Sequence, residues 1–106
     1  MRMLTWFVPS VGPGGADQRE AYRLDGDYIP GRAWVHLPVK VTGEIILDIK
    51  VDGVSLFGYK LRLHNDTDAD SIDFASVQLS KDAIVTLNVD QGEANNMTVG
   101  LDLEEA

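Results

Sequence analysis

Apolar and polar side chains alternate with a period of two over three long stretches of the chain, the pattern of a strand with one buried and one wet face. Ile45, Leu47, Ile49 and Val51 interleave with Glu44, Ile46, Asp48 and Lys50. Ala83, Val85, Leu87 and Val89 interleave with Ile84, Thr86, Asn88 and Asp90, and Met97, Val99, Leu101 and Leu103 with Thr98, Gly100, Asp102 and Glu104. The β-branched content agrees, because such side chains pack well on a pleated surface and lose rotamer freedom in helices.

Punctuation between these stretches predicts the connections. Asp52-Gly53 separates Val51 from Val54 and supplies the positive φ angles of a two-residue hairpin. Ala33, Val35, Leu37, Val39 and Val41 share one parity, with Arg32, Trp34, His36 and Lys40 opposite, and Pro38 lacks a ladder donor, so this strand is expected to bend or to lie at an edge. Thr42-Gly43 turns the chain into the long strand that follows. Tyr59, Leu61 and Leu63 predict a further strand, running out into a polar loop from Asn65 to Ser71; the only helical expectation is a single turn over residues 74–79.

The first 31 residues differ, with Pro9, Gly12-Pro13-Gly14-Gly15, Asp25-Gly26-Asp27 and Pro30-Gly31. They predict an extended N-terminal arm over residues 1–20, then a strand around Glu20 to Leu24 that opens a single β-domain over residues 21–106. Many short strands broken by turn signals predict an all-β, antiparallel sandwich or barrel, with a jelly-roll-like β-sandwich as the expected form.

With 106 residues the chain is sized for one core. Seventeen acidic against nine basic residues leave a net charge of −8, which repels phosphate and anionic lipid, so neither nucleic acid nor membrane is expected as a partner. No apolar run approaches a bilayer span, and the expectation is of a chain with no signal peptide and no anchor. Cysteine is absent, which removes disulfides, thiolate metal sites and cysteine nucleophiles.

Candidate chemistry is thin. Asp66-Thr67-Asp68-Ala69-Asp70 has the alternate-aspartate spacing of a calcium loop, but Ser71 and Val77 stand where an EF-hand needs Gly and its bidentate Glu, so no metal site is assigned. His36 and His64 lack a ligand spacing. Ser55 lacks the second glycine of a nucleophile elbow, and no phosphate-cradling loop is present, so neither catalytic residues nor a cofactor are expected.

Aromatic side chains gather in the first 60 residues, and Trp34 falls on the polar parity of its strand. Trp6 and Phe7 sit in the apolar tip of the arm. Exposed aromatics anchor protein contacts or stack on sugar rings, and Trp6, Phe7, Tyr22, Tyr28 and Trp34 are the expected interface residues.

The passage Ala21-Tyr22-Arg23-Leu24-Asp25-Gly26-Asp27-Tyr28-Ile29-Pro30, the run Asp48-Ile49-Lys50-Val51-Asp52-Gly53-Val54-Ser55-Leu56-Phe57 and the closing strands from Leu79 to Leu103 resemble small β-sandwich virion proteins of tailed phages, across roughly the last 85 residues by the strand pattern. The resemblance implies a structural protein of the virion, chiefly a head decoration protein that binds and stabilises the shell of major capsid protein and trimerises or otherwise clusters as a homo-oligomer on the capsid surface, after synthesis in the host cytoplasm. The alternative it leaves open is a tail-associated module binding a receptor or carbohydrate through Trp34 and the aspartate-rich loop.

Overall fold

The computed structural model describes residues 2–11, 16–40, 43–75 and 78–106, without the side chains of residue 11 and of residues 16–20. Its elements are β1 (Arg2–Val11), β2 (Ala16–Arg23), β3 (Tyr28–His36), β4 (Glu44–Val51), β5 (Val54–Ser55), β6 (Leu61–His64), β7 (Asp68–Ser71), β8 (Ile84–Gln91) and β9 (Ala94–Glu105). They form a four-stranded sheet in the order β1-β9-β3-β7 and a five-stranded sheet in which β2, β8 and β4 lie in sequence, with β5 and β6 both pairing β4.

Without the two-residue β5, the first half of the chain pairs with the second half in reverse: β1 with β9, β2 with β8, β3 with β7 and β4 with β6, all antiparallel. The chain is thus one long two-stranded ribbon. Further antiparallel pairing of β3 with β9 and of β4 with β8 rolls this ribbon onto itself. That is the jelly-roll form of the antiparallel β-sandwich, in which every strand turns one face inward.

The alternating positions form the core. Ile45, Leu47 and Ile49 of β4 and Val85, Leu87 and Val89 of β8 meet Leu4, Trp6 and Val8 of β1 and Met97, Val99, Leu101 and Leu103 of β9, all of them buried. The Asp52-Gly53 turn forms as expected, with φ of 52° and 83° at its two central residues and Val51 opposite Val54.

Five expectations are corrected. The segment taken for an arm is extended but not free: Arg2 to Val11 is in register with β9 from Leu103 back to Ala94, and β2 is a strand of the opposite sheet. The apolar run Leu4-Thr5-Trp6-Phe7-Val8 has the same period of two as the core strands, and burying Leu4, Trp6 and Val8 outweighs the freedom of a tether. Arg2 also pins the start of β1 by donating to Asp25 at 2.6 Å. The tract Gly12-Pro13-Gly14-Gly15 lies outside the described residues.

The other corrections concern strand limits. β3 stops at His36, and Val39 is exposed, because Pro38 cannot continue the ladder. Tyr59 is likewise exposed and precedes β6. Residues 68–71, expected as loop, are the edge strand β7, held by backbone pairing of Asp68, Ala69, Asp70 and Ser71 with His36, Val35, Trp34 and Ala33. The expected helical turn is not there in the described residues: Phe74 bridges Phe57 and Leu79 bridges Tyr28, both in extended backbone, while residues 76–77 lie outside the described set.

Candidate functional face

The pairings of β9 with β1 and β3 place side chains in rows across the outer face of the four-stranded sheet. Met3, Asp102 and Arg32 form one row; Thr5, Gly100, Trp34 and Asp70 the next; Phe7, Thr98, His36 and Asp68 the third. Phe7 and Met3 are 58% and 54% exposed, at the edge strand β1. The opposite edge, β7, is acidic.

Trp34 lies over Gly100. A Cβ placed on that glycine would fall 2.1 Å from the ring-fusion atom Cε2, 2.2 Å from Cζ2 and 2.5 Å from Nε1. Because the inner atom of that trio is the nearest, the indole lies face down on the glycine backbone and its second face is turned away from the sheet. Only a residue without a side chain permits this approach. The indole N–H points to Asp102 at 3.3 Å.

Charged groups surround the ring. Arg32 lies 3.6 Å from both Asp70 and Asp102, and His36 Nδ1 is 2.6 Å from Asp68. Between β3 and β7, Arg32, Trp34, Val35, Asp68, Ala69 and Asp70 line a groove of about 290 Å³.

The five expected interface residues separate sharply. Trp34 and Phe7 share the outer face. Trp6 is 1% exposed and meets Tyr22 edge-on with ring centres 5.3 Å apart, and the Tyr22 hydroxyl donates to the Thr5 carbonyl. Tyr28 is buried with its hydroxyl donating to Asp25. Trp6 and Tyr28 are covered by their own domain, which corrects the contact surface expected of them, and Tyr22 is partly buried against the core.

The alternate aspartates do not converge. Asp66 accepts from the Thr67 N–H, Asp68 is bonded to His36 and Thr67, and Asp70 faces Arg32; among the described residues no group of three potential ligands could hold a metal ion. Ser55 donates to Asp48 at 2.6 Å, and His36 and His64 lie on different sheets, bonded to Asp68 and Asn65.

One polar cluster escaped the sequence. Asp48, 1% exposed, is the buried carboxylate among the described residues, and Lys60 bridges from it, at 3.9 Å, to Asp90, which Asn88 also bonds. The signal was the tight Asp52-Gly53 hairpin: it sets Ser55 opposite Lys50, and so diagonal to Asp48 on the same face. Both partners satisfy a carboxylate whose isolated burial would be costly. This cluster ties β4, β5 and β8 to the segment before β6.

Ionisation of surface carboxylates couples stability to pH. The Tyr28 hydroxyl chiefly holds Asp25 below the usual carboxylate range, burial opposing and Arg2 adding to it. His36 and then Thr67 lower Asp68. For Asp90 burial is the largest single influence and pushes upward, but Lys60 and Asn88 together outweigh it and leave the group lowered. A carboxyl lowered by folding stabilises the fold above its unfolded value, about pH 4, and that contribution is lost as pH falls through the folded value. Lys60, raised chiefly by Asp90, acts in the opposite window and loses its contribution only as pH rises past its folded value. Melting temperature is therefore expected to drop below about pH 4, and a D25N/D68N/D90N variant should show a weaker drop in the same thermal melts. An equal slope in both proteins would contradict the assignment.

Fold and face together define a jelly-roll β-sandwich whose four-stranded sheet carries Phe7 and Trp34 on its outer face. Compared with known proteins, the chain matches no family model, no curated protein and no solved structure.

Proposed function

We propose that this domain is a structural binding module of a virion, a capsid decoration protein that docks on the shell of major capsid protein through the outer face of its four-stranded sheet. The observation that supports it is the placement of Met3 and Phe7, each more than half exposed, on the outward parity of the edge strand β1. Large apolar side chains at the rim of an otherwise acidic molecule favour a protein partner. An edge strand of ten residues adds backbone groups that accept a further strand, from the shell or from another copy of this chain. Several copies clustered at symmetry-related positions then bind with greater avidity than one. The net charge of −8 favours a neutral or basic shell surface.

The role requires no chemistry, and the polar groups are engaged in a way that suits it: the Ser55 hydroxyl donates a hydrogen bond to Asp48, His36 is bonded to Asp68 and His64 to Asn65. Phe7→Ser combined with Met3→Ser removes the apolar rim without touching the core. Co-sedimentation with purified shells should then lose at least about thirtyfold in affinity, the scale of two interface side chains at about 1 kcal/mol or more each, with an unchanged melting temperature. Undiminished shell occupancy by this variant would overturn the reading.

A further inference from the structure

On the other half of the same face, the geometry points to a carbohydrate site: we propose that Trp34 is a stacking platform for a neutral sugar ring, whose hydroxyls are held by Arg32 and Asp70 in the groove between β3 and β7. The inference does not depend on β1 docking to a shell, since it concerns different residues and is tested without one.

Three observations carry it. The first is the indole lying face down on Gly100, which leaves one aromatic face turned outward and immobilises the ring beneath it. The apolar C–H face of a pyranose is flat and of similar width, and an amphipathic ring already ordered in the free protein loses little entropy on stacking. The Nε1–H contact to Asp102 fixes the ring's in-plane orientation from the β9 side.

The second is the state of the polar groups beside it. Both ion pairs of Arg32 are at 3.6 Å, longer than a hydrogen bond, and the side chains of Arg32 and Asp70 are 50% and 63% exposed. The guanidinium therefore keeps donors, and Asp70 keeps acceptor lone pairs, for an incoming group. Donors and acceptors side by side match hydroxyls, which do both, better than they match an anion or a cation alone. Asp68 is committed to His36 and Thr67 and forms the far wall.

The third is charge. Asp68, Asp70 and Asp102 outnumber the single guanidinium of the groove, on a chain of net charge −8. Sialylated, sulfated and phosphorylated ligands are repelled, nucleotides among them. A neutral hexose or N-acetylhexosamine at the end of a glycan suits both the charge and a groove of about 290 Å³, at the small end of ligand sites.

The full chain, without any shell, would be screened on an array of neutral hexose and N-acetylhexosamine oligosaccharides alongside their sialylated counterparts, and hits titrated by intrinsic fluorescence. Trp6 is buried in the core and contributes a constant background, so an emission change on binding reports Trp34. At least one neutral glycan is expected to bind, with its sialylated form weaker by about tenfold or more. On the array and in titration calorimetry, neither of which needs the indole as reporter, Trp34→Ala should abolish binding, and Asp70→Asn, at an exposed position, should weaken it about tenfold or more, the scale of one lost charge-assisted hydrogen bond. Phe7→Ser should leave it unchanged. The proposal is overturned if no neutral glycan binds, if Asp70→Asn and Trp34→Ala bind like the parent, or if sialylated forms bind equally well.

Discussion

Replacing Trp6 with Ala is expected to destabilise the domain by about 3–5 kcal/mol, the range for deleting a large aromatic from a packed core. The side chain is 1% exposed, and its ring is one half of the edge-on pair with Tyr22, which in turn bonds the Thr5 carbonyl. Losing the indole leaves a cavity between the sheets at their open side and frees Tyr22 from its contact. A domain of this size has roughly 5–15 kcal/mol of total stability, so the variant should unfold at a much lower urea concentration. The check is a urea titration followed by circular dichroism, with the midpoint shifted and the slope preserved. A midpoint unchanged from the parent would mean that β1 is not part of the core. This outcome also decides how binding experiments are designed: loss of docking in a Trp6 variant would report unfolding, whereas Phe7, on the same strand but pointing outward, reports the surface.

Gly92→Ala is expected to have the second large effect. Gly92 links β8 to β9 with φ at +102°, a conformation that L residues rarely adopt, which alone costs about 1–3 kcal/mol. A Cβ there would also sit 2.6 Å from the Glu44 carbonyl oxygen and 3.0 Å from the Ile45 Cα. Both are backbone atoms at the start of β4, next to the register shift between Ile46 and Leu47, so no side chain can swing away to make room. The strand β4 would have to move, and with it its pairing to β6 and β8. The urea midpoint and the protection of β4 and β8 amides from hydrogen exchange should both fall. Gly53→Ala, also at positive φ but with nothing within 4 Å of its added Cβ, is the control: it should cost the conformational part alone. Equal losses at the two glycines would remove the argument from close approach.

The expectation of a virion protein stands, in the sequence, on the order of strands and on the run from Asp48 to Phe57. The structure gives that run a physical role, because the hairpin at Asp52-Gly53 carries Ser55 to the buried carboxylate of Asp48, and Phe57 stacks on Phe74 with ring centres 5.8 Å apart. Such a constraint is local to one corner of the sandwich. It accounts for these residue types at this spacing in this chain without deciding what the outer face binds.

Period-two alternation in residues 44–51, 83–90 and 97–104, together with the Asp52-Gly53 turn, was enough to settle an antiparallel all-β fold and most of its core, because inward and outward facing are decided by parity along each strand. Parity also put Trp34 on the outside. Tertiary structure decided the rest. Trp6 and Phe7 are neighbours of opposite parity, and only the pairing of β1 with β9 determines that the first is core and the second is surface. The aspartate-rich residues 68–71 have poor strand propensity, yet they form β7 because the edge of β3 offers backbone partners that no local signal announces. The indole's seat on Gly100 joins residues 66 positions apart, and a sequence shows neither the missing side chain's purpose nor the neighbour that occupies its space. Local patterns record which way a side chain points; what it meets there is set by strands brought together from distant parts of the chain.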